Sequence, residues 1–200
     1  MPSRNIVKMY DINSYYHVYN RGVDKRDLFI DDQDYAVFLE LFKRYLGKKP
    51  GVDSRGREVV SLASGVEVVA FCLMPNHFHL LLFQIETDIV TKLLRAVCSS
   101  YVPYFNKKYK RTGALFQNCF KAIKVDNHDY LQYLTRYIHR NPHNYRDWEW
   151  SSLDYWIGNR STDWVHPQRL NDMSADNYLS YLQDDVDYDN SLDEISNMLI

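Results

Sequence analysis

The chain has 200 residues, of which 46% are hydrophobic, and it carries a formal net charge of -2 at pH 7. This size and composition suit one globular domain with a full core and a tail. No segment approaches eighteen uncharged apolar residues, which argues against a membrane span. The start of the chain also lacks the apolar core of a signal peptide, so we expect a cytoplasmic protein. Three unevenly spaced cysteines without a C-x-x-C motif are typical of reduced, structural thiols.

The predicted elements alternate between strands and helices. In chain order, the hydrophobic pattern predicts a strand at 15–22, an amphipathic helix at 32–46, a β-hairpin at 66–84, a second helix at 88–101 and a fourth strand at 120–125. A last helix at 126–142 begins at a capping Asp126 or Asn127 and ends near Asn141, because Pro142 disfavours helical geometry in the residue before it. This order predicts an α+β fold with one face of the sheet covered by helices.

Two histidines near the start of the second hairpin strand form the first candidate site. His77 and His79 follow the turn at 74–76, and side chains two residues apart on a strand point to the same face. The two imidazoles can therefore converge on one metal ion, while Phe78 points to the opposite face. A half-buried face with hydrogen-bonded imidazoles is the alternative, and the spacing taken alone favours that alternative.

The helix at 126–142 supplies a second candidate group. Tyr137 and Asn141 are four residues apart and share one face, so a phenol and a carboxamide could reach the same ion if this helix crosses the histidine strand. The alternative is that Tyr130, Tyr133 and Tyr137 form an aromatic stripe that packs on the sheet. For a tyrosine stripe taken alone, packing is the better interpretation.

Two other histidines lie close to these candidates in the sequence. His139 follows Tyr137 by two positions, which directs it away from Tyr137 on a helix, and we expect it at the surface or facing DNA. His17 alternates with Tyr15 and Tyr19 on the first strand, and it could face either the site or solvent.

Five short motifs, in register, carry a family resemblance. They are YHVYNRG at 16–22, MPNHFHLLL at 74–82, GALFQ at 113–117, YIHRNP at 137–142 and WSS at 150–152. Together they resemble the single-tyrosine HUH transposases, most closely the REP-associated tyrosine transposases. The resemblance implies a ferredoxin-like βαββαβ fold, an antiparallel sheet with helices on one face.

The same resemblance implies roles for the candidate residues. His77 and His79 are the paired metal ligands, Asn141 takes the place of the polar third ligand, and Tyr137 is the nucleophile. The implied cofactor is a divalent metal, Mg²⁺ or Mn²⁺, and the implied partner is single-stranded DNA with a hairpin. Transesterification would leave a free 3′-OH and a 5′-phosphotyrosine that a second 3′-OH can resolve without ATP. In agreement, the chain has neither a G-x-x-x-x-G-K-[ST] loop nor a G-x-G-x-x-G motif.

Charge is distributed unevenly along the chain. Residues 91–146 contain eleven Lys or Arg against two acids, interleaved with aromatic residues, which fits a surface that follows phosphates and stacks unpaired bases. The DNA-binding candidates are Arg21, Lys107, Lys108, Lys110, Arg111, Arg136 and Arg140. A solvated face is the alternative for the cluster at 107–111. Residues 171–200, in contrast, contain eight acids and no Lys or Arg.

This asymmetry predicts a transposase domain at 1–158 and an acidic C-terminal extension at 159–200. We expect a solvated extension with short helices at 174–182 and 192–199 and a flexible segment at 186–190; alternatively, it covers the basic surface and competes with DNA.

The runner-up function is a DNA-binding regulator that keeps the fold without transposition. The RNP1 motif of an RNA-binding module is absent from the sequence. The sequence leaves both a monomer and a homodimer open.

Overall fold

A computed structural model describes residues 10–49, 51–53 and 56–184 of the chain. The segments predicted at 186–190 and 192–199 lie outside these residues. The described part contains the strands β1 (Ser14–Arg21), β2 (Val66–Met74), β3 (His77–Gln84) and β4 (Lys121–Val125) and the helices α1 (Asp32–Leu46), α2 (Ile89–Lys108), α3 (His128–Arg140), α4 (Leu153–Trp156) and α5 (Ala175–Gln183).

The four strands form one antiparallel sheet in the order β2-β3-β1-β4. The hairpin of β2 and β3 turns at Pro75 and Asn76, while α1 and α2 connect β1 to β2 and β3 to β4. This order and connectivity are those of a ferredoxin-like βαββαβ unit, so the predicted fold class is confirmed. The two central strands, β1 and β3, are the ones that carry the candidate histidines.

Helices α1 and α2 cover the first face of the sheet. Phe78, Leu80 and Leu82 of β3 point into the core between the sheet and these helices. The start of α1 is fixed by a capping box in which Asp31 and Asp34 each accept a backbone N–H of the other residue. Helix α2 continues well past its predicted end at residue 101, because buried Tyr101 and Phe105 extend its apolar stripe.

The opposite face of the sheet is covered by α3, α4 and α5, so the prediction of helices on one face describes α1 and α2 only. The reason lies in β2 and β3, which are apolar on both sides. Val68 and Phe71 pack into the first core, whereas Ala70 and Cys72 pack into the second. A β-bulge between Val68 and Ala70 shifts the side-chain alternation between the two faces.

The segment after α4 packs against the same sheet. Val165 forms an isolated parallel bridge with Val68, and Trp164 is buried in the first core. The predicted helix at 174–182 is α5, which buries Tyr178 and Leu182 in the second core and is therefore docked rather than fully solvated. The domain division after residue 158 stays a prediction, and described residues on both sides of it share the two cores. No helix among the described residues is long and apolar enough to cross a membrane.

Candidate active site

The two candidate histidines lie on the α3 side of the central strand β3. His77 pairs with Arg21 and His79 pairs with Tyr19 in the β1–β3 register. Phe78, between them, is fully buried in the opposite core. Strand alternation therefore places both imidazoles on the face that α3 covers, with their ring centroids 5.1 Å apart.

Helix α3 brings Tyr137 and Asn141 to the same place. The helix begins where the Asn127 side chain accepts hydrogen bonds from two backbone N–H groups of the first turn. Two turns later, the Tyr137 ring packs edge-on against His79 at 5.3 Å between centroids. Asn141, which caps the C-terminal end, places its Oδ1 atom 3.1 Å from His77 Nε2. The fold thus brings together the four residues that the sequence singles out.

The contacts of His77 fit a cation between its ring and Asn141. His77 Nδ1 lies 2.7 Å from Asn76 Oδ1, and His77 Nε2 lies 3.1 Å from Asn141 Oδ1, so both ring nitrogens face carboxamide oxygens. Burial lowers the pKa of His77, and a neutral imidazole has one N–H to donate. Asn76 Nδ2 donates to the Lys25 carbonyl, which keeps Asn76 Oδ1 toward the ring. If His77 Nδ1 donates to that oxygen, the Nε2 lone pair on the Asn141 side is available to a cation.

The donor set and its spacing also fit a divalent ion. Two ligands at right angles and about 2.1 Å from one ion lie about 3 Å apart, close to the separation of the His77 and Asn141 atoms. Within the described residues, no group of three or more His, Cys, Asp or Glu side chains is placed to hold a metal. An ion here would therefore combine the His77 and His79 imidazoles with the Asn141 amide oxygen. The oxygen suits Mg²⁺ and Mn²⁺, and the imidazoles would also accept zinc or nickel.

A cavity of about 350 Å³ opens beside these side chains. Tyr137, His77 and His79 form one part of its lining. Six further lining residues are polar or cationic, namely Asn20, Arg21, Asn76, Gln117, Asn118 and Lys121, and Tyr19, Phe78 and Cys119 complete the lining. Backbone hydrogen bonds from Gln117 to Arg21 and from Val23 to Leu115 hold the loop before β4 against the end of β1. This arrangement suits a phosphodiester next to unpaired bases.

Several predicted DNA contacts have positions that allow them. Arg21 is exposed at the rim of the cavity, where its guanidinium donates to Gln117 Oε1. Lys107 and Lys110 are exposed at and just beyond the end of α2. Arg111 donates to Asn106 Oδ1 and to the Ala114 carbonyl, which fixes its guanidinium on the loop.

Two predicted DNA contacts have side chains that are engaged within the protein. Lys108 Nζ lies 2.6 Å from Asp31 and 2.8 Å from Asp34, whose side chain is completely buried. The ammonium group of Lys108 therefore forms ion pairs that link α2 to the start of α1. Arg136 is 1% exposed, and its guanidinium lies over the Tyr181 ring under α5. Arg140 is half-buried, with its guanidinium 6.0 Å from the Tyr145 ring centroid.

The surface position expected for His139 is wrong. Its side chain is completely buried, with Nε2 2.7 Å from Ser152 Oγ and Nδ1 2.7 Å from the Tyr178 hydroxyl. The Tyr178 hydroxyl also donates to Thr135 Oγ1, so this network ties α3 to α4 and α5. A Ser-His pair enclosed in this way has a structural role.

His17, which the sequence left open between two positions, faces the site. It lies on β1 beside His79, with His17 Nε2 2.9 Å from His79 Nδ1. Tyr19 and Lys121, which the sequence did not single out, line the same cavity. His17 and Tyr19 belong to the motif at 16–22 and Lys121 to the basic block at 91–146, but neither signal says which face of the sheet carries the site.

Comparison with known families identifies the class of protein. Residues 56–141 match the sequence model of a family described as transposase IS200 like, and this segment includes His77, His79, Tyr137 and Asn141. This match covers 86 of the 200 residues and supports the family resemblance that the motifs carry. A search of curated proteins gave no significant match.

One solved structure shows the same fold. The structure of a REP-associated tyrosine transposase bound to a REP hairpin has a TM-score of 0.57 and 16% sequence identity, and the alignment covers 86% of this chain and 96% of that chain. At this identity the likeness shows the fold alone. A Deinococcus radiodurans R1 protein provisionally described as a transposase has a TM-score of 0.40 and 15% identity, covering 67% of this chain and 92% of that chain.

Proposed function

We propose that this transposase is a metal-dependent endonuclease and strand transferase for single-stranded DNA, with Tyr137 as its nucleophile. The observation that carries the proposal is the convergence of His77, His79, Tyr137 and Asn141 from a central strand and a facing helix. The solved relative was bound to a REP hairpin, which supports hairpin-bearing DNA as the partner.

The cation in this proposal is Mg²⁺ or Mn²⁺, held by His77, His79 and Asn141. When bound, it supplies a Lewis acid that polarises and aligns the scissile phosphate. Burial lowers the pKa of both His77 and His79, which keeps the imidazoles neutral and able to offer a lone pair near pH 7.

The chain's own residues perform the covalent chemistry. The Tyr137 oxygen attacks phosphorus and loses its proton to solvent in the open cavity, while the bond from phosphorus to the 3′-oxygen breaks and that oxygen gains a proton. The products are a free 3′-OH and a 5′-phosphotyrosine, which preserves the phosphodiester energy. Attack by a second 3′-OH rejoins DNA and returns the Tyr137 phenol.

The cationic rim of the cavity would hold the strand during these steps. Arg21 and Lys121 line the cavity, whereas Lys107 and Lys110 are exposed around the end of α2, outside that lining, and would extend the contact with the strand. Lys121 Nζ lies 5.6 Å from the Tyr19 ring centroid, which pairs a cation with an aromatic surface for a base.

The test uses end-labelled single strands with candidate hairpins, incubated with Mg²⁺, Mn²⁺ or EDTA. We expect a metal-dependent covalent adduct with the wild type and none with Tyr137→Phe. Tyr133→Phe, one turn earlier on α3, is the matched control and should keep the adduct. DNA that is bound but never cleaved with any metal would overturn the proposal and favour the DNA-binding regulator.

A further inference from the structure

His17 lies within hydrogen-bond distance of His79, a proposed metal ligand. It lies on β1, adjacent to β3 in the sheet, and both His17 and His79 are nearly inaccessible to solvent. The two rings lie edge to edge and nearly coplanar, with their centroids 5.1 Å apart and an interplanar angle of 25°. His17 Nε2 lies 2.9 Å from His79 Nδ1, which is a normal hydrogen-bond length.

This contact admits two arrangements of one proton. If His17 Nε2 carries the proton and donates it, His79 Nδ1 is the acceptor and the His79 proton must be on Nε2. If His79 Nδ1 donates instead, His79 Nε2 keeps its lone pair. Only the second arrangement leaves a nitrogen of His79 that can bind a cation.

We infer that His17 is a positioning residue that accepts the Nδ1 proton of His79 and so fixes the tautomer in which His79 Nε2 is a metal ligand. The inference rests on the proposed function for the identity of that ligand. It assigns His17 no contact with DNA or with the reacting atoms. Its role is to orient the His79 ring and to hold its proton on the far nitrogen.

The surroundings of His17 support the acceptor role. His17 is 2% exposed and its Nε2 faces His79 Nδ1, so a neutral His17 ring can accept the proton. The aromatic rings beside it are those of Tyr19 and Tyr137, at 5.2 and 6.3 Å between centroids. Its strand partners are Leu81 on β3 and Ile123 on β4, so its backbone is held on both sides.

Two substitutions separate hydrogen bonding from packing. His17→Gln keeps an acceptor oxygen at a reach similar to Nε2, whereas His17→Leu keeps an apolar side chain of moderate size and removes the acceptor. Tyr16→Phe is the matched control, because it removes a buried hydroxyl from the same strand on the opposite face. Thermal unfolding of the metal-free proteins would show that each variant is folded.

The first measurement is the tautomer of His79 in the metal-free wild type, by two-bond ¹H–¹⁵N spectra of the imidazole nitrogens. We expect the proton on Nδ1. A proton on His79 Nε2 would overturn the inference. This measurement needs neither a metal nor DNA, so its result tests the inference about His17 even if the proposed reaction does not occur.

The second measurement is the Kd for Mn²⁺, by calorimetry. Loss of an oriented hydrogen-bond partner to a ligating histidine lowers metal affinity roughly 10- to 100-fold, which we expect for His17→Leu. His17→Gln and Tyr16→Phe should stay close to wild type. Equal Kd values for wild type and folded His17→Leu would overturn the inference alone, because the proposed function would still stand. A wild type with the Nε2 tautomer and no Mn²⁺ binding would overturn both.

Discussion

Lys107 and Lys108 are neighbours at the end of α2, and their different surroundings give the sharpest prediction. Lys108 Nζ lies 2.6 Å from Asp31 and 2.8 Å from Asp34, and the Asp34 side chain is 0% exposed. Lys107 is exposed. We compare Lys108→Met with Lys107→Met, which remove the same charge from the two positions.

The structure sets the size of the expected loss. A hydrogen bond to a charged group is worth about 1.5 to 3 kcal/mol, and the pair with half-exposed Asp31 adds little. The Tyr104 and Tyr109 hydroxyls and the Ile30 N–H still donate to Asp34 in the variant, which offsets part of the cost. We expect Lys108→Met to lower the free energy of unfolding by about 2 to 3 kcal/mol at pH 7, and Lys107→Met by less than about 0.5 kcal/mol.

The difference between wild type and Lys108→Met should depend on pH. Burial alone would raise the pKa of Asp34, but hydrogen bonds from Lys108, Ile30 and Tyr109 outweigh it and lower that pKa below its ordinary 3.8. A carboxylate with a lowered pKa adds stability above that ordinary value and loses it as the pH falls toward the folded-state value. The gap in unfolding free energy should therefore be constant near neutral pH and shrink below about pH 4.

Urea unfolding and DNA binding together provide the assay. For a single strand, each lost phosphate contact reduces the slope of log K against log salt by about 0.7. We expect that change in fluorescence anisotropy titrations for Lys107→Met and an unchanged slope for folded Lys108→Met. A reduced slope with unaltered stability for Lys108→Met would refute the reasoning and return Lys108 to the DNA surface.

Three further changes test other parts of the structure. Asn141→Ala should abolish the covalent adduct and weaken Mn²⁺ binding in calorimetry, and unchanged Mn²⁺ affinity would exclude its amide as a ligand. Tyr178→Phe leaves His139 Nδ1 without its partner and should cost about 1 to 3 kcal/mol in urea unfolding. Adduct formation per folded Tyr178→Phe molecule should match wild type, and a selective loss of adduct would contradict a purely structural network. Arg21→Met should weaken binding of single-stranded DNA in anisotropy titrations and leave stability within about 0.5 kcal/mol, whereas unaltered binding would remove Arg21 from the strand's path.

Local patterns predicted most of the fold. The range of α1 and the β2–β3 hairpin follow from apolar periodicity and from the turn at Pro75 and Asn76, which are properties of neighbouring residues. The end of α2 was placed too early, because the aromatic residues beyond it are buried by tertiary packing. Helix α3 can dock on the opposite face because β2 and β3 are apolar on both sides. The sequence of a strand that is apolar on both sides does not indicate which helix covers which side.

The candidate site was predictable where a family motif named its residues and unpredictable where partners are distant in sequence. His77 and His79 share a motif, but the contact of His17 with His79 depends on the β1–β3 register. Likewise, Lys107 and Lys108 look alike in the sequence, and only the position of Asp34 across the helix pair separates them. The burial of His139 could not be predicted from neighbouring residues, because it depends on Tyr178 of α5, 39 residues further along the chain.

The position of β3 between β1 and β2 divides the site into a fixed half and an adjustable half. His77 and His79 cannot shift along the sheet without breaking hydrogen-bond ladders on both sides and moving Phe78 out of the opposite core. Asn141 and Tyr137 are on a helix held by side-chain packing, where a small rotation or a different residue changes the ligand set and leaves the backbone pairing intact. Redesign for another metal or a slower nucleophile should therefore begin on α3, with the histidine strand kept as the reference frame.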